Sequence, residues 1–234
     1  MKTSSSFIES APVTLALITA NTLTYLVLGF LGGSFISVNY RLLALLGQFN
    51  LLIVKYGWWW QLITSLFVHL NLVHLLLNMF WLAIIGVSFE KSLGSKFLLL
   101  SYFLSGLAGN ILSLAVDLVV FNLSLYTISA GASGAILGLA ATLAVVSSLT
   151  LGNPGKAIAY LVFLFLLNSF TGNVDILGHL GGILGGALIG YTYVKLKAPK
   201  REEREFTIEI TYKPLEYQTE SILNTRTLTA NKGL

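Results

Sequence analysis

The stretch ILGHLGGILGGALIGYTYV, from Ile176 to Val194, carries no Lys, Arg, Asp or Glu, and glycine recurs in it at Gly178, Gly182, Gly186 and Gly190. The hydrocarbon core of a bilayer takes about 20 apolar residues of helix to cross, so this run predicts a membrane span. Glycines four apart share one helix face and let a second backbone come close in lipid, where packing rather than water drives association. A single histidine, His179, stands near its start. Titratable groups inside a span are costly and are functional candidates by default.

Five more apolar runs lie upstream: Pro12 to Leu31, Leu72 to Phe89, Phe97 to Val116, Ala132 to Leu151, and Ala157 to Phe170, the last short for a full crossing. The whole chain is 55% hydrophobic and 10% charged, against about a quarter charged in soluble domains. The fold class expected is all-α, a polytopic membrane protein with a six-helix bundle. Residues 1–11 read as a cytoplasmic N-terminus, 12–196 as the membrane domain and 197–234 as a polar cytoplasmic tail. In the tail, Phe206, Ile208, Ile210 and Tyr212 alternate as in a short strand, although a loosely ordered tail fits equally. The first run reads as a retained anchor rather than a cleaved signal. The connection 32–71 holds Trp58, Trp59 and Trp60 and is broken by Gly47, Asn50 and Lys55, so it reads as an interfacial loop.

The net charge of +4 is unevenly placed. Lys2, Lys91, Lys96, Lys156 and the run Lys195, Lys197, Lys200, Arg201, Arg204 fall on one side of the six crossings, and only Arg41 and Lys55 on the other. By the positive-inside bias both termini face the cytoplasm, and the charge speaks for membrane orientation rather than a nucleic-acid partner. The chain has no cysteine, which excludes disulfides and thiolate chemistry.

With that topology, spans two, four and six all enter from outside, so His74, Asn78, Ser133 and His179 share one shallow layer. Close approach of Gly134 and Gly138 on span four to Gly178, Gly182 and Gly186 on span six would bring Ser133 to His179. A serine hydroxyl needs an adjacent base, commonly imidazole. The oxyanion formed by its attack needs fixed donors. Asn78, the His74 ring and the Ser133 backbone N–H, at a helix start, can supply them. Every part of an acyl-transfer site is present. Ser133 in a Gly/Ala-rich segment also reads as a packing residue. No strand is expected ahead of it, which separates it from the nucleophile elbow of soluble hydrolases. His69 and His74, five apart, misalign on a helix and have no carboxylate nearby, so no metal site and no cofactor are expected. Asp175, four residues before His179, reads as a helix cap, leaving a dyad rather than a triad. Glu90 and Lys91 read as boundary charges, and Asn21 and Asn110 as interhelical hydrogen bonders.

Three motifs in this order, His74-Leu-Leu-Leu-Asn78, Gly131-Ala-Ser133-Gly134 and Gly178-His179-Leu-Gly181-Gly182, resemble the rhomboid family, and the resemblance covers residues 12 to 195. It implies a six-helix bundle with a water-filled cavity open to the outside. It further implies Ser133 as nucleophile, His179 as general base, and His74, Asn78 and the Ser133 amide as the oxyanion hole, with Gly131 beside it. Glu90 matches an acid with a structural role. Two positions depart from the family pattern: Gln61 follows Trp60 where arginine is common, and Leu137 stands where many members carry an aromatic stacked on the histidine. The activity implied is intramembrane serine endopeptidase cleavage of transmembrane-anchored proteins near the outer face. The bilayer is the surrounding partner, the oligomeric state is unspecified, and the short tails suit the plasma membrane of a prokaryote. The alternatives are an inactive relative that binds membrane clients and a small transporter, although transporters place polar groups nearer the midplane.

Overall fold

The computed structural model describes residues 11–121, 126, 128–152, 154–169 and 175–197, all within the first of two compact units, Met1–Ala198. The second unit, Pro199–Leu234, lies outside the described residues, and with it the alternation at 206–212; so do residues 1–10.

Helices occupy all six predicted positions. They are α1 (Pro12–Gly32), α5 (Leu72–Leu93), α6 (Ser95–Val116), α7 (Ser133–Leu151), α8 (Pro154–Ser169) and α9 (Ile176–Lys197). Five are long and apolar enough to cross a membrane. The sixth, α8, has 16 residues and reaches about 24 Å at 1.5 Å per residue, short of the ~30 Å hydrocarbon core. The ends follow local chemistry. Pro12 opens α1, where its missing N–H costs nothing. The Asn71 side chain caps α5 by accepting from His74 N–H at 2.8 Å. Gly33 and Gly152 close α1 and α7 in the left-handed region, with φ of 71° at each.

α7 is the central helix, packed by α5, α6, α8 and α9. Its Ile136, Leu137, Leu139 and Ala140 are buried with Leu82, Phe89, Leu98 and Tyr102 of its neighbours. Large apolar side chains also face outward, among them Phe30, Leu31, Leu184 and Leu188. Apolar residues inside and out are what a bundle solvated by lipid requires.

Several sequence expectations change. Glu90 is buried rather than a boundary charge. Its carboxylate accepts from the N–H groups of Val13 and Thr14 at 2.9 and 2.8 Å and from the Thr14 hydroxyl at 2.7 Å. Ala11 offers α1 no side-chain cap, so α5 supplies one from a distance, placing an anion at a helix N-terminus. The 32–71 connection is also not irregular. It winds into α2 (Tyr40–Leu46), α3 (Asn50–Tyr56), α4 (Gln61–Thr64) and a 3₁₀ turn, Ser65–Phe67.

Gln61 pins this connection. It is fully buried, accepts from Phe49 N–H at 2.9 Å and donates to the Ala44 and Leu45 carbonyls at 2.8 and 3.3 Å. Asn110 of α6 donates to Leu62 O at 2.7 Å and to Ser65 Oγ at 2.9 Å, so it binds the connection rather than another span. Asn21 donates to Leu17 O of its own helix at 2.8 Å and lies 3.5 Å from the Tyr102 hydroxyl of α6. Two-residue strands β1 (Gln48–Phe49) and β2 (Ile128–Ser129) pair antiparallel, so a short strand does precede Ser133. It feeds a membrane helix, not the sheet of a soluble hydrolase.

Candidate active site

Ser133 is the first residue of α7, and the N–H groups of a first turn have no intrahelical acceptor. The chain reaches it through Gly131, whose φ of 139° is a conformation L side chains rarely adopt. Gly131 N–H is fastened to Ser65 O at 2.9 Å, so the turn that presents Ser133 is tied to the 3₁₀ segment.

The glycine seam sets the distance between α7 and α9. A Cβ on Gly182 would overlap the Gly134 carbonyl, and one on Gly186 would overlap that of Gly138. A Cβ on Gly134 would stand 3.1 Å from Gly178 O. One turn further, Thr142 Oγ1 donates to both Gly138 O and Gly186 O, at 3.0 and 2.8 Å. Backbones this close carry the first turns of the two helices side by side. His179 Nε2 lies 2.6 Å from Ser133 Oγ, a short hydrogen bond. Ser133 is half-buried and His179 is 4% exposed.

Asp175 anchors the start of α9. Its Oδ1 accepts from Gly178 N–H at 2.8 Å, its Oδ2 accepts from the Ser113 hydroxyl of α6 at 2.7 Å, and its carbonyl accepts from His179 N–H at 3.0 Å. His179 Nδ1 has no hydrogen-bond partner among the described residues. The Phe165 ring of α8 meets the imidazole edge-on, with centroids 6.4 Å apart. Sequence reasoning missed Phe165, because nothing in its apolar helix distinguishes it from its lipid-facing neighbours.

His74 and Asn78 lie one turn apart on α5. The His74 ring packs on Gly131: a Cβ there would come within 2.8 Å of its Cε1 and 2.9 Å of its Nε2, and 3.7 Å from Ser133 Oγ. Asn78 donates one amide hydrogen to His74 O at 2.8 Å and keeps a second. His69 is not on α5 but in the segment before it, its ring edge-on to that of His74 with centroids 5.2 Å apart. Burial, together with the neighbouring His74, pushes the His69 imidazole down to about 3. His74, Asn78, Gly131, Ser133 and His179 all line one cavity of about 820 Å³.

This arrangement can be set beside known proteins. The model of the Rhomboid domain matches residues 56–196. Rhomboid-like protease 3 of Toxoplasma gondii is 35% identical over 137 residues, covering 56% of this chain and 51% of that protein. Rhomboid protease GluP of Bacillus subtilis is 34% identical over 155 residues, 64% of this chain and 29% of its own length. RHOMBOID-like protein 6, mitochondrial, of Arabidopsis thaliana is 36% identical over 155 residues, 63% and 47% respectively. The chain thus spans about half the length of these relatives or less. The match runs from the last residue of α3 to the last turn of α9 and takes in all three motifs. With its apolar helices and this match, the chain is an integral membrane protein and belongs to the rhomboid family.

Proposed function

We propose that the protein is an intramembrane serine endopeptidase that cleaves transmembrane-anchored proteins near the outer membrane face with a Ser133–His179 dyad. The observation that carries this reading is the 2.6 Å separation of Ser133 Oγ and His179 Nε2 on the wall of a cavity. Ser133 Oγ attacks the scissile carbonyl while His179 Nε2 takes its proton, and Nδ1 keeps its own hydrogen throughout. The negative charge that develops on the carbonyl oxygen is met by the Ser133 N–H, the second amide hydrogen of Asn78 and the His74 ring. His179 then returns the proton to the leaving amine. Water entering by the cavity hydrolyses the acyl-enzyme with the same imidazole as base. A substrate helix must unwind locally, because its amides are shielded by their own hydrogen bonds. No metal or cofactor has a step in this scheme.

Asp175 supports a dyad rather than a triad, since both its oxygens are engaged by Gly178 and Ser113. The Lys and Arg distribution supports a cytoplasmic N-terminus over 1–11 and a cytoplasmic tail over 197–234, flanking a membrane domain over 12–196. The test is cleavage of a panel of single-span proteins in liposomes by wild type, Ser133→Ala and His179→Ala. Each variant should lose at least about a thousandfold of the wild-type rate. Cleavage surviving Ser133→Ala would remove the serine from the mechanism.

A further inference from the structure

We propose that Phe165 is a positioning residue for His179, its ring holding the imidazole in the orientation that aims Nε2 at Ser133. The inference rests on the reading of Ser133 and His179 as a reacting pair. A histidine bonded only through Nε2 can still swing about its Cβ–Cγ bond, where the torsional wells are broad. In a triad a carboxylate at Nδ1 prevents that. Here Nδ1 has no partner among the described residues, and the Asp175 carboxylate is committed to Gly178 N–H and the Ser113 hydroxyl. On α7, the side chain one turn beyond Ser133 is Leu137, fully buried and aliphatic. The ring against His179 comes from α8 instead. The Phe165 and His179 centroids are 6.4 Å apart with planes at 77°, an edge-to-face pair in the range aromatic rings prefer. Such a contact opposes rotation of the imidazole, because turning either ring breaks the favoured geometry. The shortest of the six long helices thereby acquires a task in the site, although it contributes no reacting group.

Phe165→Leu keeps apolar bulk and removes the ring; Phe165→Tyr keeps the ring. Both are read in the full chain, with wild type as reference. Side-chain carbon and proton resonances of the three histidines are recorded first. Phe165→Leu should move those of His179 and leave His69 and His74 in place, whereas Phe165→Tyr should leave all three near wild type. On a single-span substrate, Phe165→Leu should lower kcat about tenfold with KM changed less than about twofold, and Phe165→Tyr should restore it. A His179 signal unmoved by Phe165→Leu, or a kcat no better in Phe165→Tyr than in Phe165→Leu, overturns the positioning role alone. A wild type that neither cleaves nor reacts with a fluorophosphonate overturns the reacting pair, and this role with it.

Discussion

A serine hydroxyl is a poor nucleophile until a base stands within hydrogen-bond reach, and here that reach is set by residues with no side chain to offer. Gly131 turns the chain into α7 at a φ of 139°, and any Cβ there would press on the His74 ring. His69 does a different task. It is fully buried and edge-on to His74, with its proton affinity lowered to about 3. The unfolded chain takes up that proton below the ordinary value of 6.5, while the folded protein refuses it until about 3. The stability contributed by neutral His69 is therefore complete above 6.5 and is lost as the pH falls toward 3. Between those values this one residue should weaken the folding equilibrium about tenfold per pH unit. Unfolding titrations in mixed micelles should show that slope, and His69→Phe should reduce it by one proton. An unchanged slope would mean that His69 is already charged in the fold. At this scale the sequence was informative where chemistry is rare, at the histidines, Ser133 and Asn78. It marked Gln61 only as a departure from the family pattern and was silent at Phe165; the roles of both depend on what long-range folding brings to them.

Among the elements, α7 and α9 depend on each other through their glycines. In lipid there is no water to expel, so close packing of bare backbone is the main attraction. A methyl at Gly186 would overlap the Gly138 carbonyl and force the helices apart. Gly186→Ala is expected to cost about 2 kcal/mol as overpacking. Gly155→Ala, where a Cβ meets nothing within 4 Å, should stay within about 0.5 kcal/mol of wild type. Steric-trap unfolding of both variants measures the difference, and equal stabilities would contradict the seam. The spacing of these glycines announced the contact, because period four is visible in any sequence. The short helices α2 to α4 were not visible. Their stability comes from tertiary bonds, such as those of Gln61 and Asn110 to carbonyls of α2 and α4, rather than from a long apolar period. The resemblance implied a structural role for Glu90, but its cap on α1 was out of reach for a related reason: the partners are 76 and 77 residues away in sequence.

For the whole molecule, the proposed activity requires a hydrated pocket inside a lipid-solvated, apolar body. The four polar side chains assigned to it lie at one end of the helices. α5 brings His74 and Asn78, α7 brings Ser133 and α9 brings His179, and all of them border the same cavity. That these side chains share one end of the bundle was legible in the sequence, because each stands near the start of its helix. That the cavity is roomy, and that α8 stands beside His179, could be learned only from the packing. The proposed activity depends most on Ser133 being a nucleophile activated by His179. The direct measurement is to treat the protein in liposomes with a fluorophosphonate and map the adduct by peptide mass spectrometry. Wild type should carry the phosphonyl group on Ser133, and His179→Ala should lose it at the same reagent concentration and time. An adduct on another residue, or undiminished labelling of Ser133 in His179→Ala, would contradict the account.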